Sequence, residues 1–301
     1  MAIKQQLTTE RAGAGPALAG ASGIKTILLH ILDDEFHDQR IDTAVELSRT
    51  CSAHVSCLHV TPIEAYAAFE NFGAVFVIED VMRKLDERNA DLQFRVKERL
   101  KREDVSWDYE QVTGNVASIL TSRASLADIL ITSRQPARRD LVGPTVGFLG
   151  DLLQRSRTPI LIPGSNGKGF DPTGLALIGW NGSMEGANAV RASLGLLKLA
   201  SSVRVLQVPE GKPGEMDLSG TRLLEYLSRH GILAELSTES APTGDIGHDV
   251  IAAVIVAEAR GASAACIIMG GYSHSRFGEY VFGGVTRTLL KDCPIPIVIA
   301  H

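Results

Sequence analysis

The strongest constraint on this chain is an alternation, run through twice, of short continuous apolar stretches with longer amphipathic ones. In the first copy the apolar stretches are KTILLHI (Lys25–Ile31), HVSCLHV (His54–Val60), a segment near Val105–Gln111, DILITS (Asp128–Ser133) and PILIP (Pro159–Pro163). Helical patterns separate them at about Asp38–Cys51, about Glu79–Arg102, from Asn115, and near Thr145–Arg155. In the second copy the stretches are GLALIGW (Gly174–Trp180), SVRVLQV (Ser202–Val208), a segment near Ile232–Ser237, ACIIMG (Ala265–Gly270) and PIVIA (Pro296–Ala300). Its helical patterns lie at about Met184–Ala200, Leu218–His230, His248–Arg260, and from Gly284. Strands that are apolar on both faces, alternating with amphipathic helices, imply a parallel sheet covered on both sides. Right-handed crossovers make such a unit doubly wound. The predicted class is α/β, with two tandem doubly wound five-stranded parallel-sheet domains.

The break between the copies is PGSNGKGFDPTG (Pro163–Gly174), dense in Gly, Pro, Ser and Asn, and reads as a linker. The expected organisation is therefore a first domain over 24–163, a linker over 164–173 and a second domain over 174–301. Residues 1–23 are Ala/Gly-rich without a secretory apolar region and read as a disordered tail. Each fifth strand opens beside proline (Pro159; Pro294 and Pro296), which cannot donate to a ladder and favours edges or strand starts. Two such edges need cover, and pairing with each other supplies it.

Composition narrows the function. Hydrophobic residues make up 45% and charged residues 22% of the 301, enough to bury a real core. A net charge of -5 argues against a nucleic-acid groove, and no apolar run has the roughly 18 residues a membrane span needs. The four cysteines (Cys51, Cys57, Cys266, Cys293) have no CxxC spacing, which suggests free buried thiols and a cytoplasmic, reducing setting. Cys51, His54, Cys57 and His59 invite a zinc reading, but strand periodicity puts Cys57 and His59 on one face and His54 on the other. The alternating charges of the helix before Arg102 read as a solvated face, and the aromatic insert Ile63–Ile78 as core cover or a subunit contact.

GGYSHSRFGEYVFGGVTRTLL (Gly270–Leu290) leaves the carboxyl end of the fourth strand of the second copy and feeds a helix. Ligands of doubly wound sheets bind outside those strand ends, and a helix start offers unpaired N–H groups to an anion. A turn that merely feeds the helix is the competing reading, just as NGS at Asn181–Ser183 is also an ordinary turn and N-cap signature. No nucleophile elbow, Walker loop, HExxH or GxGxxG occurs, and no catalytic residue is assigned.

The second copy resembles a universal stress protein domain, and the whole chain resembles a tandem member of that family. The resemblance rests on GLALIGWNGS, on MGGYSHSRFGEYVFGGVTRTLL and on CPIPIVIAH, and is fainter over Lys25–Pro163. It implies five-stranded sheets of order 3-2-1-4-5, of the adenine nucleotide alpha hydrolase-like kind, and in many members ATP or AMP binding. The family pattern is Gly, two residues, Gly, nine residues, Gly, then Ser or Thr. Here those positions hold Gly270, Ser273, Gly283 and Gly284, and the aspartate often found after the first strand is Asn181.

The resemblance implies an adenine-nucleotide site at Trp180, Asn181, Gly182, Val208, Gly270, Ser273, His274, Ser275, Gly283, Gly284, Val285 and Thr286. No metal is expected beyond nucleotide-associated Mg. A Cβ at a left-handed Ser273 costs about 1 kcal/mol, and a hydroxyl missing at Gly284 about 1.5–3 kcal/mol. Together they weaken binding by about a hundredfold or somewhat more. The hydroxyls of Ser273, Ser275 and Thr286 and the cations His274 and Arg276 offset this. In the first copy Arg134, Arg138 and Arg139 replace the glycine start, while Asp33 or Asp34 follows the first strand. No standard nucleotide site is expected there, though the arginines could hold an anion. The expected function is a stress-response protein acting through conformation or partners, a homodimer among them. The alternatives are an interaction module without nucleotide, or a slow ATP hydrolase.

Overall fold

The structure, a computed structural model, describes residues 6–8, 23–62, 75–134, 146–167, 169–208, 218–239, 247–271 and 284–301. Every strand among them joins one eleven-stranded sheet. After the short strand β1 (Gln6–Thr8), the first unit runs β2 (Thr26–Ile31), α1 (His37–Cys51), β3 (His54–Pro62), α2 (Val75–Leu100), β4 (Ser106–Gly114), α3 (Val116–Ala124), β5 (Ile129–Ile131), α4 (Val146–Arg155) and β6 (Ile160–Ile162). The second runs β7 (Ala176–Trp180), α5 (Met184–Ala192), α6 (Leu194–Leu197), β8 (Val203–Gln207), α7 (Gly220–Arg229), β9 (Ala234–Thr238), α8 (His248–Gly261), β10 (Cys266–Gly270), α9 (Gly284–Lys291) and β11 (Ile297–Ala300).

The sheet order β1-β4-β3-β2-β5-β6-β11-β10-β7-β8-β9 contains the pattern 3-2-1-4-5 twice, the second time in mirror order. Within each unit the strands are parallel, as apolar strands with helical crossovers require. The two fifth strands pair antiparallel, Ile297 with Ile162 and Ile299 with Ile160, so each covers the other's edge. The prolines sit just before those strands, where only their carbonyls are needed: Pro159 accepts from Leu130 N and Pro296 from Ile267 N, each at 2.9 Å.

Alternate residues feed two core layers. On β2, Ile27, Leu29 and Ile31 pack into one layer with α1 and α2, while Leu28 packs into the other with α3 and α4. The same alternation continues across β11, where Val298 joins the first layer and Ile297 and Ile299 the second.

Three details depart from the sequence reading. Gln6–Thr8, inside the segment expected as a disordered tail, form β1 antiparallel to β4, covering an otherwise open edge. The helix expected over Met184–Ala200 breaks at Ser193 into α5 and α6. The start of the expected linker is packed: Ser165 N donates to Cys293 O at 2.9 Å, and Ser165 Oγ donates to Asp292 at 2.6 Å. Most of the aromatic insert, residues 63–74, lies outside the described residues.

Candidate functional site at the strand ends of the second unit

β7 ends on Trp180, which is buried and donates its indole N–H to Leu218 O at 2.9 Å. The chain then reverses through Asn181 and Gly182, whose φ of +75° suits glycine because no Cβ opposes the left-handed backbone. Asn181 Oδ1 accepts from Ser183 N at 3.2 Å, and Ser183 Oγ caps α5 by accepting from Gly186 N at 3.0 Å. The NGS motif is thus a turn and a helix cap. Asn181 remains exposed, and its amide nitrogen has no partner among the described residues. Val208, one residue beyond the end of β8, is buried, and the Trp180↔Gln207 register places it close by.

The first glycine pair has a packing cause. A Cβ on Gly270 would fall 2.6 Å from the backbone of Glu185 and Gly186, and one on Gly271 would fall 2.1 Å from Ile299 Cγ2. The first turn of α5 therefore rests directly on the end of β10, and only glycine admits it. Gly284 begins α9 against a side chain: a Cβ there would lie 2.3 Å from Cδ2 and Cγ of His248, the first residue of α8. Thr288 Oγ1 donates to Asp249, so the starts of α8 and α9 are tied together. Thr286 is buried and Val285 half-buried. Ser273, His274, Ser275 and Gly283 lie outside the described residues.

Trp180, Asn181, Gly182, Val208 and Gly270 are thus gathered at the carboxyl ends of β7, β8 and β10, while Gly284 opens the helix that follows β10. Sequence reasoning missed His248, which fills the space a Ser or Thr at 284 would use. A signal existed: His248 falls in step with Ile251, Ala252, Ile255 and Ala259, the buried stripe of α8.

The corresponding corner of the first unit is closed by the protein itself. Arg40, 1% exposed, donates from Nη1 to both oxygens of Asp34 at 2.8 and 2.9 Å and to Ser133 Oγ at 2.5 Å, and from Nη2 to Leu32 O at 2.6 Å. Ser133 Oγ donates on to Asp34 Oδ2 at 3.1 Å. Burial lowers the Arg40 pKa, and Asp34 opposes that shift. Asp33 is held by Arg95 at 2.8 Å. Arg134 turns inward and donates to Cys293 O of the second unit at 2.8 Å. Arg138 and Arg139 lie outside the described residues.

Around this corner His30 Nδ1 meets Thr132 Oγ1 and His59 Nδ1 meets the Tyr109 hydroxyl, each at 3.0 Å. Burial pushes His30 down to about 3 and His59 to about 4. His54 instead meets Ser106 at 2.8 Å, and burial raises the pKa of the Cys57 thiol. No group of three or more metal-ligating side chains gathers among the described residues.

Fold and corner together define a tandem doubly wound α/β protein whose two units join at their fifth strands into one sheet. Among solved structures the chain is similar to a universal stress protein from Archaeoglobus fulgidus, at 13% identity and TM-score 0.65, over 92% of this chain and 96% of that one. It is also similar to a putative universal stress protein from Pseudomonas aeruginosa, at 15% identity and TM-score 0.54, over 93% and 94%. A functionally unknown protein from Pseudomonas aeruginosa matches at 14% identity and TM-score 0.54, over 93% of each chain. No protein-family model matches the sequence, and no curated protein matches it. The chain has the tandem universal stress protein fold.

Proposed function

We propose that this chain is a stress-response protein of the universal stress type that binds adenine nucleotide, ATP or AMP, at the second unit and not at the first. The observation that carries this reading is the contrast between the corners. Arg40, Asp34 and Ser133 fill the first, whereas at the second the amide of Asn181 is exposed, and the starts of α8 and α9, which offer N–H groups, lie against each other at His248 and Gly284. Asn181 suits a ribose hydroxyl, while His248 supplies a ring nitrogen beside the position that lacks a hydroxyl. Binding would act through conformation or partners; no residue is assigned to catalysis.

Calorimetric titration of the full chain with ATP and with AMP tests this. The expected result is saturable heat that weakens about tenfold in Asn181→Ala, the size of one lost hydrogen bond to a polar ligand. Absence of saturable heat at millimolar nucleotide overturns it and favours the second reading, an interaction module of the same fold. That reading is supported by the imidazole of His248 lying where a phosphate-binding hydroxyl would project. Phosphate release on incubation with ATP, lost in Asn181→Ala, would instead mark a slow hydrolase.

A further inference from the structure

A second concave surface lies away from the strand-end corner. It is a cavity of about 540 Å³ lined by Arg157, Asn188, Arg191, Leu194, Tyr226 and His301. Arg157 precedes β6 in the first unit, and the antiparallel Ile160↔Ile299 register brings that segment alongside the residues after β11. Arg191 sits in the last turn of α5, roughly 12 Å along the helix axis from the Ser183 cap. The wall is therefore built from both units, and it exists only because their fifth strands pair.

Its charged side chains are cationic. No Asp or Glu lines it, although the chain carries a net charge of -5. Elsewhere Arg40, Arg95, Arg99 and Arg123 each meet a carboxylate, whereas the guanidinium groups of Arg157 and Arg191 meet none among the described residues. Asn188 and the Tyr226 hydroxyl add uncommitted polar groups, and Leu194 adds an apolar wall. Two guanidinium forks, neutral polar groups and one apolar residue lining the same surface suit an anion with an organic body. The volume falls within the range of small-molecule pockets.

We propose that this interunit cavity binds a small organic dianion, a phosphate ester or a dicarboxylate, gripped by Arg157 from one unit and Arg191 from the other. A ligand held this way fastens the two units together and reports its presence through their shared sheet. The proposal is independent of nucleotide binding at Asn181.

The test is titration of the full chain at low ionic strength with glycerol 3-phosphate and, separately, with succinate. Saturable binding of either probe is expected, weakened at least tenfold in Arg157→Ala and in Arg191→Ala and lost in the double variant. Asn181→Ala leaves it unchanged. Binding of glycerol 3-phosphate alone assigns a phosphate ester, and binding of succinate alone a dicarboxylate. Both arginines are exposed, so the variants retain the wild-type circular dichroism. No saturable binding of either probe, or binding that survives the double variant or vanishes in Asn181→Ala, overturns the proposal.

Discussion

At the end of β2 the chain turns on Asp33 and Asp34 and draws the guanidinium of Arg40 into a buried knot with Ser133. At the end of β7 it turns on Asn181 and Gly182 and leaves the amide in solvent. The strand order around the two turns is the same. What differs is charge: Asp34 supplies an anion that makes a buried arginine tolerable, while Asn181 supplies none and α5 carries no cation before Arg191. One unit ties its corner together with a buried ion pair, while at the other the described residues leave the Asn181 amide exposed. A doubly wound unit can therefore keep its architecture while a few residues at the strand ends change the charge and exposure of that place.

The largest expected effect comes from breaking the knot. Arg40→Leu leaves the half-enclosed Asp34 carboxylate without its cation, held only by neutral donors from Ser133 and Phe36, and should cost about 3–5 kcal/mol of first-unit stability in urea denaturation. Arg40→Leu/Asp34→Leu should recover most of it, because an apolar pair needs no solvation. A double variant as unstable as the single would show that the cost lies in packing, not charge.

Acid should separate the units next. His30 and His59 are buried in the first unit with folded pKa values of about 3 and 4, below the 6.5 of an unfolded histidine. The unfolded chain takes up protons first, so their contribution is complete above pH 6.5 and declines as pH falls through 6 toward 4. Each should remove roughly 2–3 kcal/mol over that interval. His59→Gln should flatten the first-unit pH profile; an unchanged profile would place the acid sensitivity elsewhere.

Gly271→Ala sharpens the comparison from the other side. Its Cβ would fall on Ile299 Cγ2, and the crowding should cost about 1–3 kcal/mol, with Ile299→Ala restoring part of it. The smallest effect is Ser183→Ala, which removes the α5 cap and should lower second-unit stability by about 1 kcal/mol while leaving the first unit untouched. A loss in both units would mean that they unfold as one body.

Much of this was readable in the residues. The apolar runs at Lys25–Ile31 and Gly174–Trp180 announced parallel strands, and Pro159 and Pro296 announced the edges that meet. Arg40 could have been noticed, since it lies in step with Ala44, Leu47 and Cys51 on the buried stripe of α1. The reason for the Gly270–Gly271 pair was not readable, because the atoms that forbid a side chain belong to Glu185, Gly186 and Ile299.

The sequence by itself determined the architecture: period and length of the apolar runs specify strands and helices, and proline placement says which strands can sit at a seam. Tertiary structure alone decided which side chains meet at each corner. The contacts of Arg40 with Ser133, of Gly284 with His248 and of Arg157 with Arg191's cavity join residues far apart along the chain. Local patterning fixes which face a side chain takes, but only packing chooses the partner it meets there.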